Sequence, residues 1–252
     1  MRKALLLLLL LIGSLPLSAQ AQREVIAWTY HLLPPFIIDY DKQQGLSFDL
    51  LELLNQHREN RGRFRFQLHY LPRKRLDILL HAGSAGLVLW VSPIFFDDRL
   101  SKHYRWTSAL LYDQQSFLSL AEQPFAYRGP ESLYGRTLGG VLGHQYQGIQ
   151  EAIDKGLIQR EDVPIDEQNL NKLLSKRIDL ILIPRSTARY YSRQQGLSEQ
   201  LYFSPTPLSS YSRQLLLQPS LDADAAAFIQ DATASLAHNP DWRKLLEKYG
   251  LD

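Results

Sequence analysis

Cysteine is absent from this chain. No disulfide can staple it, no thiolate can serve as nucleophile or metal ligand, and no lipid can be attached through sulfur. The short patterns that announce an enzyme are absent too. There is no glycine-rich phosphate loop ending in Gly-Lys-Ser or Gly-Lys-Thr, no GxSxG elbow and no HExxH zinc helix. The seven histidines are scattered, with no tight ligand pair. The adjacent acids Asp97-Asp98 and Glu161-Asp162 fall in stretches that read as solvated loops. The chain reads as a protein that is not an enzyme, with no catalytic residues, no cofactor and no metal.

Long apolar runs are scarce. One covers Ala4 to Ile12, behind the positive Arg2 and Lys3, and ends in the small-residue site Ala19-Gln20-Ala21. That is the pattern of a secretory signal peptide over 1–21, cleaved after Ala21, and the run is too short for a membrane span. The expected product is exported and periplasmic, and starts at Gln22. Net charge of one sign is also lacking. The whole chain carries +2, and removal of Arg2 and Lys3 with the leader brings it to about zero. The basic balance of the whole chain therefore gives no reason to expect nucleic acid. Arg58, Arg61, Arg63, Arg65, Arg73, Lys74 and Arg75 form a basic region that reads as solvated faces and loops.

What is present is alternation. Val25 to Thr29 reads as a strand, Pro34-Pro35 as a turn, and Phe36 to Ile38 as a returning strand. Ser47 reads as the N-cap of a helix through Leu50, Leu53 and Leu54. Phe64, Phe66, Leu68 and Tyr70 alternate with polar residues, as in a half-buried strand. Pro72 opens a helix that Gly83 stops, and Leu87 to Val91 is an apolar buried strand. Tyr104 to Trp106 and Ser116 to Leu120 read as further strands. A second alternation then begins: strand Thr137 to Leu142, helix to Gly156, a helix at Leu170, Leu173 and Leu174, and strand Ile178 to Ile183. It continues with a helix capped by Ser186, and strand Tyr211 to Gln218. Helices over Asp222 to His238 and Pro240 to Tyr249 close the chain. Such order predicts an α/β fold of mostly parallel sheets flanked by helices.

The stretch RTLGGVLGHQY, Arg136 to Tyr146, is the pivot of this reading. A strand ends at Leu142, Gly143 turns, and helical spacing follows. The segment is either an ordinary βα turn or a loop whose free N–H groups meet an anion or polar ligand atom. Open α/β sheets bind ligands beyond the carboxyl ends of their strands. The ends here are Thr29-Tyr30-His31, Trp90-Val91-Ser92, Leu142-Gly143-His144 and Pro184-Arg185. They mark the expected cleft. Tyr30, His31, Trp90, Ser92, Gly143, His144, Gln145 and Tyr146 are its candidate ligand-binding residues, with Trp90 free either to stack on a ligand or to pack in a core.

From Glu24 to Gly250 the sequence resembles the extracellular solute-binding proteins of family 3, the polar amino-acid-binding type of ABC-transporter substrate-binding domain. PPF at 34–36, GLSFDL at 45–50, LPRKRLDILLHAG at 71–83, FFDDR at 95–99 and WTSALLY at 106–112 follow the family's order. ESLYGRTLGGVLGHQY at 131–146, LLSKRIDLILI at 173–183 and DWRKLLEKYG at 241–250 complete it. The resemblance implies a two-lobed, type II periplasmic-binding-protein fold with two hinge strands. By analogy, lobe one is 22–111 plus 207–252 and lobe two is 112–206.

The resemblance further implies capture of a small polar or anionic solute by hinge closure, a monomer, and delivery to an inner-membrane ABC permease. Signalling to a membrane sensor is one alternative, and a periplasmic lyase or dehydratase on the same fold is another. By the family pattern Arg75 reaches the cleft and Arg99 holds a ligand carboxylate. The pattern's ammonium-binding Asp is missing: Pro184-Arg185 stands there, and Gly86 replaces another usual Asp. Arg185 in the cleft would disfavour an ammonium and favour an anion. The expectation is weak binding of ordinary zwitterionic amino acids, unless another acid such as Asp39 or Asp113 serves the ammonium.

Overall fold

The computed structural model describes residues 21–251; the expected leader lies outside them except for Ala21. β1 (Arg23–Thr29) runs parallel to β2 (Phe64–Tyr70) along its whole length, and to β3 (Leu87–Val91) at its end. Between them lie α1 (Leu46–Gln56) and α2 (Arg73–His81). α3 (Asp98–His103) and β4 (Arg105–Trp106) lead into the long β5 (Leu111–Leu120). Next come β6 (Thr137–Val141), the short α4 (Gln150–Asp154), β7 (Gln159–Val163) and α5 (Asp166–Leu174). Then follow β8 (Leu180–Pro184), α6 (Arg185–Gln194), β9 (Leu201–Phe203) and β10 (Ser209–Leu217). α7 (Ala223–Leu236) and α8 (Pro240–Tyr249) end the chain.

The strand order is β2-β1-β3-β10-β5-β8-β6-β7. β5 and β10 are the antiparallel pair at its centre. Arg213 lies opposite Leu111 and Ser209 opposite Gln115. The far half of β10 pairs with β3, while the far half of β5 pairs with β8. The two strands thus belong to both halves of the sheet. Apolar side chains segregate the same way. One group draws on 25–111 and 215–249, a second on 28–104 and Leu216, and two more on 117–203.

Local chemistry explains these elements. All five residues of β3 are buried, as an apolar strand sandwiched by helices should be. α8 has Asn239 accepting from Asp241 N at 2.8 Å, Pro240 in the first turn, and Gly250 left-handed at its end. Asp222 caps α7 by accepting from Ala225 N at 2.9 Å.

Several expectations are corrected. Phe36 to Ile38 forms no strand. Instead the carbonyls of Pro35 and Phe36 accept from Leu46 N (2.8 Å) and Ser47 N (3.0 Å), satisfying the first turn of α1. The cap position belongs to Gly45, not Ser47. Gly45 has φ of 134°, and a Cβ there would stand 2.5 Å from the Phe36 carbonyl oxygen. Pro184, not Ser186, precedes α6. The helix after Gly143 starts only at Gln150 and spans 5 residues, so no helix N-terminus faces the turn. Gly86 is also explained: a Cβ would lie 2.7 Å from the Trp28 ring and 2.8 Å from the Ile26 carbonyl.

Candidate functional site

Two strand ends and the two central strands converge on one cavity of about 410 Å³. Its walls include Ile94 and Phe95 after β3, His144 to Gly148 after β6, and Gln115 and Tyr211 on β5 and β10. Segments far apart in sequence therefore face each other across the centre of the sheet.

Beside the Phe95 wall, outside the cavity's own lining, lies an aromatic and cationic cluster. Beyond β1, His31 N donates to Thr29 Oγ1 at 3.2 Å, and the Tyr30 and His31 rings lie 4.1 Å apart. Arg73 sits over the Tyr30 and Phe96 rings at 5.1 and 5.0 Å. Its Nε donates to Asp77 at 2.8 Å, and another guanidinium nitrogen donates to the Phe95 carbonyl at 3.3 Å. His31 is held well below the usual histidine value by burial and by Arg213, His144 and Arg73, so it is neutral at neutral pH. Its Nε2 is sealed from solvent without a partner. Ser92 is buried at the end of β3.

Across the cavity, Gly143 turns the loop with φ of 79°, and His144, Gln145 and Tyr146 line the wall. His144 lies on the exposed loop, and partial desolvation plus Arg160 keep it below its usual value. The Tyr146 hydroxyl accepts from Val141 N at 2.9 Å, and burial pushes it up to about 12.

Four more sequence candidates lie apart from the cavity, its loop and this cluster. Trp90 is fully buried; its indole donates to Ser47 Oγ at 2.8 Å and stacks on Trp242, with centroids 6.5 Å apart. Its side chain fills the core and presents no face to a ligand, although its backbone takes a left-handed φ of 63°. Arg75 is exposed on α2, and Arg73 occupies the position expected of it. Arg99 is exposed on α3 and is not part of the cavity wall. Arg185 lies over the Phe203 ring at 5.0 Å, beside a second cavity of about 290 Å³ shared with Tyr112, Gln114 and Arg189.

A buried ion pair, unread in the sequence, lies behind the cavity. Arg213 on β10 and Asp113 on β5 are 1% and 4% exposed. Arg213 Nε donates to Asp113 Oδ2 at 2.7 Å, and a second guanidinium nitrogen lies 2.7 Å from the same oxygen in the ion pair. A third donates to the Trp90 carbonyl at 3.1 Å, and the guanidinium lies 4.3 Å from the Phe36 ring. Asp113 also accepts from Ser186 N (3.1 Å) and Ser186 Oγ (2.7 Å) at the start of α6. One pair therefore ties the end of β3, both central strands and α6 together. Both Asp113 oxygens are occupied, so this acid is not free for a ligand ammonium. Asp39 is likewise engaged by Lys42 at 2.7 Å. Among the described residues no group of three or more potential ligands is placed to hold a metal ion, and no helix is long and apolar enough to cross a membrane.

No protein-family model matches the sequence, and no curated protein matches it. Solved structures do match. A mutant of ArgBP from T. maritima superposes with a TM-score of 0.67 at 17% identity, covering 91% of this chain and 96% of that one. The GluR0 ligand-binding core from Nostoc punctiforme, in complex with (L)-glutamate, gives 0.67 at 15% identity, with coverages of 89% and 98%. An ABC uptake transporter substrate binding protein from Streptococcus pneumoniae with bound histidine gives 0.67 at 15%, with coverages of 90% and 92%. Sequence identity this low carries the fold and leaves the ligand open. Over almost its whole described length, this chain has the two-lobed α/β fold of the amino-acid-binding substrate-binding proteins.

Proposed function

We propose that the chain is an exported, periplasmic solute-binding protein that captures a small polar or anionic solute between two lobes and delivers it to an inner-membrane permease. The observation carrying this reading is the cavity at Phe95, His144 and Tyr211, walled from both halves of the sheet and floored by the two strands they share. Lobe one is taken as 22–111 plus 207–252 and lobe two as 112–206. The segregation of apolar groups supports that division. Rotation about β5 and β10 would close the walls on a ligand. Tyr30, His31, Arg73, Ser92, His144, Gln145 and Tyr146 are the proposed contacts. Arg73 contributes the positive charge, while Asp77 and Asp162 on either side are each paired with an arginine.

A thermal-shift screen of the mature chain against amino acids and dicarboxylates tests this reading. A solute at a hundred times its dissociation constant stabilises by about 2.7 kcal/mol, and small-angle scattering should show the molecule contract. Turnover of a probe, instead of saturation, would favour a lyase and sink the binding reading.

A further inference from the structure

The second cavity, of about 290 Å³, is distinct from the cleft. Along β5 and β10, Gln115 and Ser209 form one cross-strand pair and line the cleft cavity. The adjacent pair, Gln114 and Ser210, lines the second cavity instead. Successive residues of a strand point to opposite faces, so these two pairs serve opposite faces of the ladder. Gln114 Nε2 donates to Ser210 Oγ at 3.4 Å on the second face. Tyr211 alone lines both cavities.

The wall of the second cavity holds two cations and no free anion. α6 contributes Arg185 and Arg189, one helical turn apart. Asp113 is the only acid in the wall, and its oxygens are taken by Arg213 Nε, Ser186 N and Ser186 Oγ. No ion pair among the described residues includes Arg185 or Arg189. Arg185 is half-buried against the Phe203 ring, and its guanidinium makes only a long contact of 3.5 Å to Gln114 Oε1. Like charges four positions apart on a helix repel. Burial adds to that cost, and together with Arg189 it holds Arg185 below the usual arginine value. The remaining polar groups of the wall are neutral: the Gln114 amide, the Ser210 hydroxyl and Tyr112, which stands 87% exposed. Such a wall lacks an anion. A tetrahedral oxyanion supplies what is missing, because its oxygens accept paired guanidinium N–H donors while its charge answers both arginines. The volume lies near the lower end of small-ligand pockets, about 300 Å³.

We infer that this cavity is a binding site for an oxyanion of the phosphate class, held by Arg185 and Arg189 with Gln114, Ser210 and Tyr112 around it. The chemistry recognised is the phosphoryl group, whether free or at the end of an organic ester. Leu251 near the chain's end, both central strands and α6 all reach the cavity, so the anion bridges the two halves of the sheet from the side away from the cleft. The inference stands beside the solute-binding reading, and neither needs the other.

Calorimetry on the full mature chain in phosphate-free buffer of low ionic strength tests it, with inorganic phosphate and phenyl phosphate as probes. Wild type should bind one phosphate per chain. Arg185→Gln and Arg189→Gln should each weaken that binding about 10- to 100-fold, the scale of hydrogen bonds to a charged group. Arg189 is exposed, so Arg189→Gln keeps the test open where Arg185→Gln loosens the packing on Phe203. Arg185→Lys should fail to restore wild-type affinity, because an ammonium lacks the planar fork. Arg73→Ala in the cleft cluster and Arg75→Ala on exposed α2 should stay within about twofold. Tighter binding of phenyl phosphate would assign the site to an organic ester, and equal or weaker binding to the free anion; either upholds the inference. A wild-type dissociation constant for both probes above about 1 mM would overturn it. So would an equal loss in Arg75→Ala, which would reduce the effect to net charge, or a loss confined to Arg73→Ala, which would put the anion in the cleft.

Discussion

Asp113→Ala is expected to be among the most damaging single substitutions in the molecule. It would leave the Arg213 guanidinium buried at 1% exposure with only the Trp90 carbonyl and the Tyr211 hydroxyl within reach. It would also orphan Ser186 N and Ser186 Oγ at the start of α6. Breaking one side of a buried ion pair costs about 3–5 kcal/mol. For a chain of this size each kcal/mol moves the midpoint by about 2–4 °C, so the melting temperature should fall by about 6–20 °C. The double variant Asp113→Leu with Arg213→Met should recover much of the loss, because no lone charge remains buried. Urea melts of wild type, Asp113→Leu, Arg213→Met and the double variant close a double-mutant cycle. A coupling energy above about 2 kcal/mol is expected. A single-variant loss under about 1 kcal/mol would refute the account of the pair as the link between β3, the central strands and α6.

Gly45→Ala should destabilise by several kcal/mol, since its Cβ meets the Phe36 carbonyl at 2.5 Å at a φ of 134°; a melt within 2 °C of wild type would contradict this. Asn60→Ala should cost about 2–4 kcal/mol, because fully buried Asn60 donates to the Leu54, Asn55 and Phe64 carbonyls and accepts from Phe64 N; urea unfolding reads the loss directly. Arg73→Ala should weaken binding of an anionic solute about tenfold or more, whereas Arg75→Ala and Arg99→Ala should leave it within about twofold; calorimetry on the three variants decides. Asp166 fixes a pH dependence. Its folded pKa of about 6 lies above the ordinary value of 3.8, so the folded state holds the proton more tightly. The stability this contributes is full below about pH 4 and is lost as pH rises through 6, amounting to about 3 kcal/mol for two units. Asp166→Asn should abolish that slope, and unliganded melts at pH 4.5, 6 and 7.5 would expose a failure.

Apolar periodicity carried most of the architecture. The run at Leu87–Val91, the alternation at Phe64–Tyr70 and the capped helix at Pro240–Tyr249 fall where pattern and caps put them. The misreadings have a common cause. Phe36 and Ile37 look like a strand because they are apolar and buried, yet the Phe36 carbonyl serves the first turn of α1 and Ile37 N donates to the Leu33 carbonyl, neither to a sheet partner. β7 was passed over because its residues, QREDV, are mostly polar. An outer strand open to water needs no apolar alternation to be held by β6. Hydrophobicity reports burial, and burial does not by itself distinguish a strand from a cap.

The site was legible by strand end and illegible by side chain. The cleft was expected past strand carboxyl ends, and of the candidates named there His144, Gln145 and Tyr146 line the cavity, while Phe95, Gln115 and Tyr211 line it without having been candidates. Which side chain turns inward depends on phase. Arg73 and Arg75 differ by two helical positions, about 200° of rotation, and only one can face the cleft. The family pattern favoured Arg75, whereas α2 buries Leu76 and Leu80, which turns Arg73 towards Tyr30. Longer-range pairing is harder still. Arg213 and Asp113 are separated by 100 residues and meet because β10 returns beside β5. No spacing along the chain encodes that meeting.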